Sequence, residues 1–595
     1  MPLFSSGILL HEAFKYLFFV GVHALSFFFF NTYSGIIRYS SSMDALKIFS
    51  SISTTFCFLV LTSFLYHIQF KSNLFQETAL LIFSLFLFCL MFISRLFYKE
   101  LFDLFWVGGN RKEAFILGKN QNAIATANAL LLENPKRFQI MGFIRLVDEV
   151  WLKRPQKKQI FNKTIHYTND LIQFLKDRKV STLILADENL YLEKKLKLVD
   201  LCLQNDIEVI NTPSIDQNMD PKDLSNQIKN IQIEDLLQRN VIELTNPETI
   251  SLVSQSTVLI TGAAGSIGSE ISRQICTLKP KKVIFLDFGE TPLHQLQLEL
   301  EHNFPEVEKI FLIDDVRNHK KMELHFQNYK PTLVYHAAAY KHVPLMEKNP
   351  CQAILTNVLG TKIIAQCAQK YQTQKFVMIS TDKAVNPSNV MGASKRVAEM
   401  LVQSLQNKPE NKTQFIITRF GNVLGSNGSV VPLFKEQIAK GGPVTITHRE
   451  VVRYFMTIPE ACGLVLEAGT MGKGGEIFIF DMGEEIKIID LAKKMIRLSG
   501  FIPEKDIKIK EIGLRPGEKL YEELLTQSAK TLPTHHKKIL ISQEEAIEYN
   551  DLSIQIDALI ESSTHADSTQ VVVELKKIVP EFKSMNSDYQ TLDLS

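Results

Sequence analysis

The chain has few cysteines and almost no net charge, and each scarcity excludes something. Its 595 residues hold seven cysteines, at 57, 89, 202, 276, 351, 367 and 462, odd in number and never spaced CxxC. That pattern argues against a disulfide framework or a zinc site and suits a reducing cytosol. Lys and Arg total 66 against 64 Asp and Glu, a formal charge of +2. Without a basic excess there is no footprint for nucleic acid, so any anionic ligand must be held by local groups. Glycine is also scarce where a first nucleotide-type turn would need it: after the strand "EAFILG" the chain reads Gly118-Lys119-Asn120-Gln121-Asn122. A single glycine there points to a structural or docking role rather than a dinucleotide site.

Apolar residues are concentrated at one end. The runs "YLFFVGVHALSFFFF" (16–30), "FSSISTTFCFLVLTSFLY" (49–66) and "TALLIFSLFLFCLMFIS" (78–94) approach the roughly 17–25 residues that cross a bilayer as helix, which predicts about three spans within residues 1–105. More apolar spans follow the first, and no small-residue cleavage site is evident, so a cleavable signal peptide is not expected. Arg38 and Lys47 lie between the first two runs, and Arg95, Lys99, Arg111 and Lys112 follow the third. Both clusters are satisfied with the N-terminus outside and the long C-terminal part in the cytoplasm.

At 595 residues there is room for about four domains of roughly 150 residues. Strand and helix patterns alternate over 110–235, predicting a doubly wound Rossmann-like domain without an intact glycine motif. A second such unit, expected over 236–530, begins with "STVLITGAAGSIGSEISRQI" and places Gly262, Gly265 and Gly268 at the spacing GxxGxxG, between a strand and a helix. With Ser266 and Ile267 opening that helix, the turn can bring a pyrophosphate against backbone amides and the positive helix end. Asp287 ends the next strand 19 residues past Gly268, where a carboxylate binds a ribose 2'-hydroxyl and repels a 2'-phosphate. The cofactor is therefore expected to be NAD. Asp315 and Val316 after a third strand, and Ala337, Ala338 and Ala339 after a fourth, should line the adenosine and ribose groove. Residues 531–595 read as a helical extension with no assigned chemistry.

The motifs TGxxGxxG, "HAAA", "NVLGT" with Asn357, a Ser-Thr-Asp-Lys strand end and a helical Lys395 occur in one order. Together they resemble the extended short-chain dehydrogenase/reductases that act on nucleotide sugars. More closely, "YKHVPLME", "STDKAVNPSNVMGASKR", "RFGNVLGSNGSVVPLF", "VRYFMTIPEA" and "GLRPGEKLYEEL" look like the membrane-bound UDP-N-acetylglucosamine 4,6-dehydratases of the PglF, WbpM and CapD type. The likeness spans nearly the whole chain, including the apolar segments and the "IEDLLQR" linker at 233–239. Such proteins usually carry four spans, and this chain begins close to what looks like their second.

The resemblance implies a reaction at the inner membrane of a bacterium, on its cytoplasmic face, in a protein expected to be a homo-oligomer and to use no metal. A hydride leaves C4 of the sugar, water is lost across C5 and C6, and the hydride returns to C6. It implies that Asp382 is the acid toward the C6 oxygen, Lys383 the C5 base, and Thr381 a partner of the C4 hydroxyl. Lys383 must lose its proton, and the positive Lys395 beside it in a closed site is expected to lower its pKa. Lys395 should bond the nicotinamide ribose. Related enzymes place Tyr four residues before this Lys; here Met391 stands there and can supply volume but no proton. On the substrate side the resemblance implies Lys341, Arg419, Asn422 and Ser426 near the sugar and diphosphate, and Arg453, Arg515 and Glu518 on the UDP part. The planar fork of arginine suits phosphate and a carboxylate suits ribose hydroxyls. A UDP-sugar 4-epimerase shares the fold and NAD but has no need of the Asp382-Lys383 pair. A catalytically silent nucleotide-sensing scaffold would explain Met391 and the unarmed first domain.

Overall fold

The computed structural model describes residues 3–32, 42–105, 111–133, 137–147, 158–187, 190, 192–212, 228–230, 233, 246–523, 531–544, 548–565 and 567–593. The chain divides into two compact units, one of Met1–Leu171, Arg178–Glu188 and Thr212–Ile228, the other of the remaining residues.

Three helices open the first unit: α1 (Leu3–Phe29), α2 (Ser42–Phe70) and α3 (Glu77–Phe105). Ala45–Phe70 and Glu77–Arg95, with mean hydropathies of 1.8 and 2.2, are long and apolar enough to cross a membrane by length and composition. Ala13–Phe29 is a shorter apolar helix. The first apolar run lies in α1, 27 residues long, which a turn at Asn31, with φ of 50°, ends. In α3, Leu81, Ile82, Leu85 and Phe86 stay 57–68% exposed, which a helix of a soluble core would not. Small polar side chains stitch the helices together. Ser26 Oγ donates to the Ser51 carbonyl at 2.9 Å, and Ser63 Oγ to the Phe75 carbonyl at 3.0 Å. Of the flanking cations, Arg95 Nη2 donates to the Thr32 carbonyl at 2.5 Å, while Arg38 lies outside the described residues.

Strands β1 (Lys112–Leu117), β2 (Phe138–Leu146), β3 (Gln159–Ile160), β4 (Lys163–Thr168) and β5 (Thr182–Leu185) follow in the order β3-β4-β2-β1-β5. Strand β1 runs parallel to both β2 and β5. The next helix, α4 (Gln121–Leu132), begins at Asn120, whose Oδ1 accepts from Ala123 N at 3.1 Å. That side chain occupies the helix end where a phosphate would have to rest. Of the 233–239 linker, only Ile233 is described.

In the second unit β6 (Glu208–Asn211) and β7 (Lys229–Asn230) pair antiparallel. A nine-stranded sheet follows, built from β8 (Thr257–Thr261), β9 (Lys282–Asp287), β10 (Lys309–Ile313), β11 (Leu333–His336), β12 (Lys375–Ile379), β13 (Gln414–Arg419), β17 (Ile477–Phe480), β20 (Thr531–Pro533) and β21 (Ile539–Ser542). Its order is β10-β9-β8-β11-β12-β13-β17-β21-β20, parallel as far as β17. Residues 258–260, 283–286, 333–335, 376–378 and 415–417 are continuous apolar runs buried on both faces, as a helix-covered parallel sheet requires. Side chains alternate between two cores: Leu259 and Val334 enter one, Val258, Ile260 and Tyr335 the other. The strand order reverses between β8 and β11, which opens a crevice beyond their carboxyl ends. Two small sheets complete the unit, one of β14 (Asn422–Val423), β16 (Val452–Met456) and β18 (Glu485–Lys487), the other of β15 (Val444–Ile446) and β19 (Ile509–Glu511).

Four helices matter for the crevice: α5 (Ser266–Thr277), α6 (Val390–Gln406), α7 (Tyr549–Thr564) and α8 (Ser568–Ile578). Ile556, Leu559, Val572 and Leu575 of α7 and α8 share a core with Val390, Met391 and Val397 of α6.

Arg419, expected near the sugar, does not reach the crevice. Its Nε donates to Glu399 Oε1 at 2.8 Å, and Nη1 to Glu544 Oε1 at 2.5 Å, with Nη2 on Glu399 Oε2. At 3% exposure it neutralises a fully buried carboxylate instead of binding a ligand. Replacing Arg419 with Met should therefore cost about 3–5 kcal/mol of stability, because the fully buried Glu399 is left with only the longer contact to Arg396, at 3.4 Å. In denaturant titrations, the double substitution Arg419→Met with Glu399→Leu should regain most of that loss.

Candidate functional site

At the crevice the β8–α5 turn fixes one wall. Gly262 has φ of 66°, and a methyl there would lie 2.7 Å from Ala338 Cα; a methyl on Gly268 would lie 2.0 Å from the Gly262 carbonyl oxygen. Only hydrogen fits at either position, so strand, turn and helix close up and leave backbone amides facing the cleft. Asp287 latches the turn: Oδ2 accepts from Ala264 N and Oδ1 from Gly289 N, both at 2.9 Å.

The opposite wall begins where β12 ends. Thr381 caps a single 3-10 turn, Asp382–Ala384, and Asp382 N donates to the Phe420 carbonyl at 3.1 Å. One atom gathers the three side chains. Asp382 Oδ1 accepts from Thr381 Oγ1 at 2.8 Å and from Lys383 Nζ at 2.9 Å. Lys383 Nζ also reaches Asn422 Oδ1 at 3.2 Å and lies 3.9 Å from Glu522 Oε1. Helix α6 starts at Asn389, whose Oδ1 accepts from Gly392 N at 2.8 Å. Lys395, one turn beyond Met391, donates to the Ile379 carbonyl at 2.8 Å.

These groups border one cleft of about 590 Å³, in the range of small-molecule sites. Among the expected residues it is lined by Gly262, Gly265, Ser266, Ile267, Gly268, Ala337, Ala339, Lys341, Thr381, Lys383, Met391, Lys395, Asn422, Ser426, Arg453, Arg515 and Glu518. Asp382 stands just behind them, 3% exposed. Asp287, Asp315, Val316, Ala338 and Asn357 are not lining residues. Asp315 is engaged by Arg317, with its carboxyl held low by that guanidinium. Asn357 acts on the chain instead: Oδ1 accepts from Tyr340 N at 2.8 Å, and Nδ2 donates to the Tyr340 carbonyl at 3.0 Å and Ser394 Oγ at 2.9 Å. Arg453 lines the cleft, but its donors go largely to the carbonyls of Val452, Lys519 and Leu520, so it braces the loop that carries Arg515.

The residues fit a dinucleotide: a glycine turn at a helix N-terminus, a carboxylate at the end of β9, and small Ala337 and Ala339 beside them. Asp287 and the 262–268 turn would hold the adenosine diphosphate part, and Lys395 the nicotinamide end.

Electrostatics divide the two lysines against expectation. Burial opposes charge on Lys383, but the Asp382 and Glu522 carboxylates outweigh it and raise its pKa. Lys395 has burial as its largest influence, only partly offset by Glu399, and falls to about 8. The depression expected for Lys383 thus falls on Lys395. Glu522 went unassigned in sequence although it lies within "GLRPGEKLYEEL"; its carboxylate stands 3.7 Å from Arg453 Nε as well as 3.9 Å from Lys383. The adjacent pair of glutamates gave no signal as to which one turns inward.

Residues 258–544 match the model of a family described as polysaccharide biosynthesis protein. The capsular polysaccharide biosynthesis protein CapD of Staphylococcus aureus is 40% identical over 85% of this chain and 83% of its own. The chain belongs to this family. Two shorter likenesses carry different activities in their names. A UDP-N-acetylglucosamine 4,6-dehydratase (inverting) of Campylobacter jejuni is 34% identical over 46% of this chain and 79% of its own. A UDP-glucose 4-epimerase of Rickettsia canadensis is 38% identical over 45% of this chain and 77% of its own.

Lysine-selective carbon-13 labelling with NMR titration should show Lys395 deprotonating near pH 8 in the ligand-free protein and Lys383 above the ordinary lysine value. Glu522→Gln removes one of the charges that raise Lys383, so its midpoint should move down while that of Lys395 stays. A common midpoint for both lysines would refute the division.

Proposed function

We propose that the protein dehydrates UDP-N-acetylglucosamine to the 4-keto-6-deoxy sugar nucleotide, using NAD, for surface glycan assembly. The observation that carries this reading is the sharing of Asp382 Oδ1 by Thr381 and Lys383, at 2.8 and 2.9 Å, on the wall facing the glycine turn. The dehydratase likeness supports it. Epimerase likenesses exist too, but epimerisation expels no C6 hydroxyl and has no task for an Asp-Lys pair.

Bound NAD supplies a reversible hydride acceptor. Everything else falls to side chains. With Met391 unable to take a proton, the C4 hydroxyl gives its proton to the Thr381 hydroxyl, which passes its own to Asp382. The C4 ketone then acidifies the C5 proton. Lys383, an ammonium at rest, gives its proton up to water before turnover, so that it stands as a neutral amine beside the carboxylic acid that Asp382 has become. In that arrangement Lys383 takes the C5 proton and Asp382 gives its proton to the departing C6 hydroxyl, releasing water. A proton returned to C5 and a hydride to C6 close the cycle with loss of one water. The C4 hydroxyl is thus the source of the acid proton. On the opposite side Arg515 and Glu518 receive the diphosphate and ribose, with Lys341, Asn422 and Ser426 toward the sugar.

The spanning-length helices support placement in a bacterial inner membrane with catalysis on the cytoplasmic face, where nucleotide sugars are found. The same arrangement without turnover would be a nucleotide-sensing scaffold.

The deciding experiment follows the full chain with UDP-N-acetylglucosamine in deuterated water by NMR. The expected product is a 6-deoxy-4-keto sugar with deuterium at C5, whose configuration the same spectrum gives. Appearance of UDP-N-acetylgalactosamine would make the protein an epimerase, and no conversion would favour the scaffold. Asp382→Asn should slow dehydration by about 10²–10⁴-fold while leaving NAD affinity unchanged, measured by single-turnover kinetics and calorimetry.

A further inference from the structure

The end of the chain, beyond the residues matched by the family model, reaches the site without lining it. After α8, residues 583–587 run alongside two segments of the crevice. Lys583 N donates to the Pro387 carbonyl and Met585 N to the Ser388 carbonyl, both at 3.1 Å, on the approach to α6. In the other direction Gly517 N donates to the Met585 carbonyl at 2.7 Å, and Asn586 Nδ2 to the Glu518 carbonyl at 3.3 Å. The far end of this segment is pinned as well. Ser587 Oγ donates to Glu347 Oε2 at 2.5 Å, and Glu347 Oε1 accepts from Val390 N, the first residue of α6, at 2.7 Å.

Gly517 is where these ties converge. It has φ of 78°, a methyl on it would lie 2.5 Å from Asn389 Cβ, and its carbonyl accepts from Ser388 Oγ at 2.9 Å and Asn389 Nδ2 at 3.0 Å. Its amide has no partner among the described residues other than the Met585 carbonyl.

We infer that residues 583–587 form a strap that fixes the loop of Arg515 and Glu518 against the start of α6, and so sets the grip on the nucleotide half of the substrate. It is a positioning element. This rests on the reading that Arg515 and Glu518 hold the UDP part. Because the ties to Pro387, Ser388 and Gly517 are main-chain bonds, composition can change along the strap while its geometry persists. The glycine turn at 262–268 is untouched by it, so loss of the strap acts on the nucleotide sugar and spares NAD.

The test compares the full chain with Met585→Pro, which removes the amide bonded to Ser388, and with Ser587→Ala, which removes the tie to Glu347 Oε2. UDP and NAD affinities are measured by calorimetry, and kcat and KM with UDP-N-acetylglucosamine. Each substitution should raise the UDP dissociation constant and KM by about tenfold, the scale of one or two lost hydrogen bonds, with kcat and NAD affinity within about twofold of the parent. UDP binding equal in parent and variants would overturn the strap alone. A parallel loss of UDP affinity, NAD affinity and kcat would show a merely structural segment and overturn it too. If the parent protein failed to bind UDP, the nucleotide reading would fall, and the role of the strap with it.

Discussion

The site depends on a close backbone approach at Gly392. A methyl there would lie 2.1 Å from the Lys383 carbonyl oxygen, so α6 can rest directly on the turn that presents Thr381, Asp382 and Lys383. That contact sets the separation between the Asp-Lys pair and Lys395, which projects from the next turn of the same helix. Asn389 fixes the start of the helix, and the carbonyl of Ile379 fixes the end of the Lys395 side chain. Two cationic groups from sequence-adjacent but differently directed elements thereby face one cavity without flexible links between them.

Their different surroundings then separate their chemistry. Lys383 meets carboxylates and stays charged; Lys395 meets a carbonyl oxygen and apolar walls and holds its proton less firmly. Arg419, nearer the core, shows the extreme case, in which Glu399 and Glu544 absorb the charge entirely. Position relative to acidic partners, more than residue type, decides which cation is available to a ligand.

Much of this was legible in the sequence. The alternation of strand and helix, the TGxxGxxG turn with its flanking strand and helix, and Asp287 at the following strand end rest on local spacing, and local spacing survives folding. So does the pairing of Met391 with Lys395 on one helical face. What escaped reading depends on distant partners. Arg419 looked like a phosphate ligand because its partners Glu399 and Glu544 are 20 and 125 residues away in the chain. Asn357 looked like a cofactor contact, yet its side chain holds the backbone of Tyr340. The direction of the Lys383 shift was misjudged for the same reason, since Glu522 enters from a loop over a hundred residues later.

The absence of a tyrosine at 391 takes on a different meaning once the Asp382 oxygen is seen as a common acceptor. A phenol would bring a fourth proton carrier to a site where Thr381 and Lys383 already converge on one atom. Met391 is 3% exposed and shares a core with α7 and α8, so its volume serves packing on one side and cleft shape on the other. In the proposed reaction every proton removed from the sugar reaches Asp382 or Lys383, and the one proton that leaves with the C6 hydroxyl as water comes from the same pair. An apolar residue at 391 keeps that exchange confined, because it offers no competing route for a proton between the cleft and Lys395.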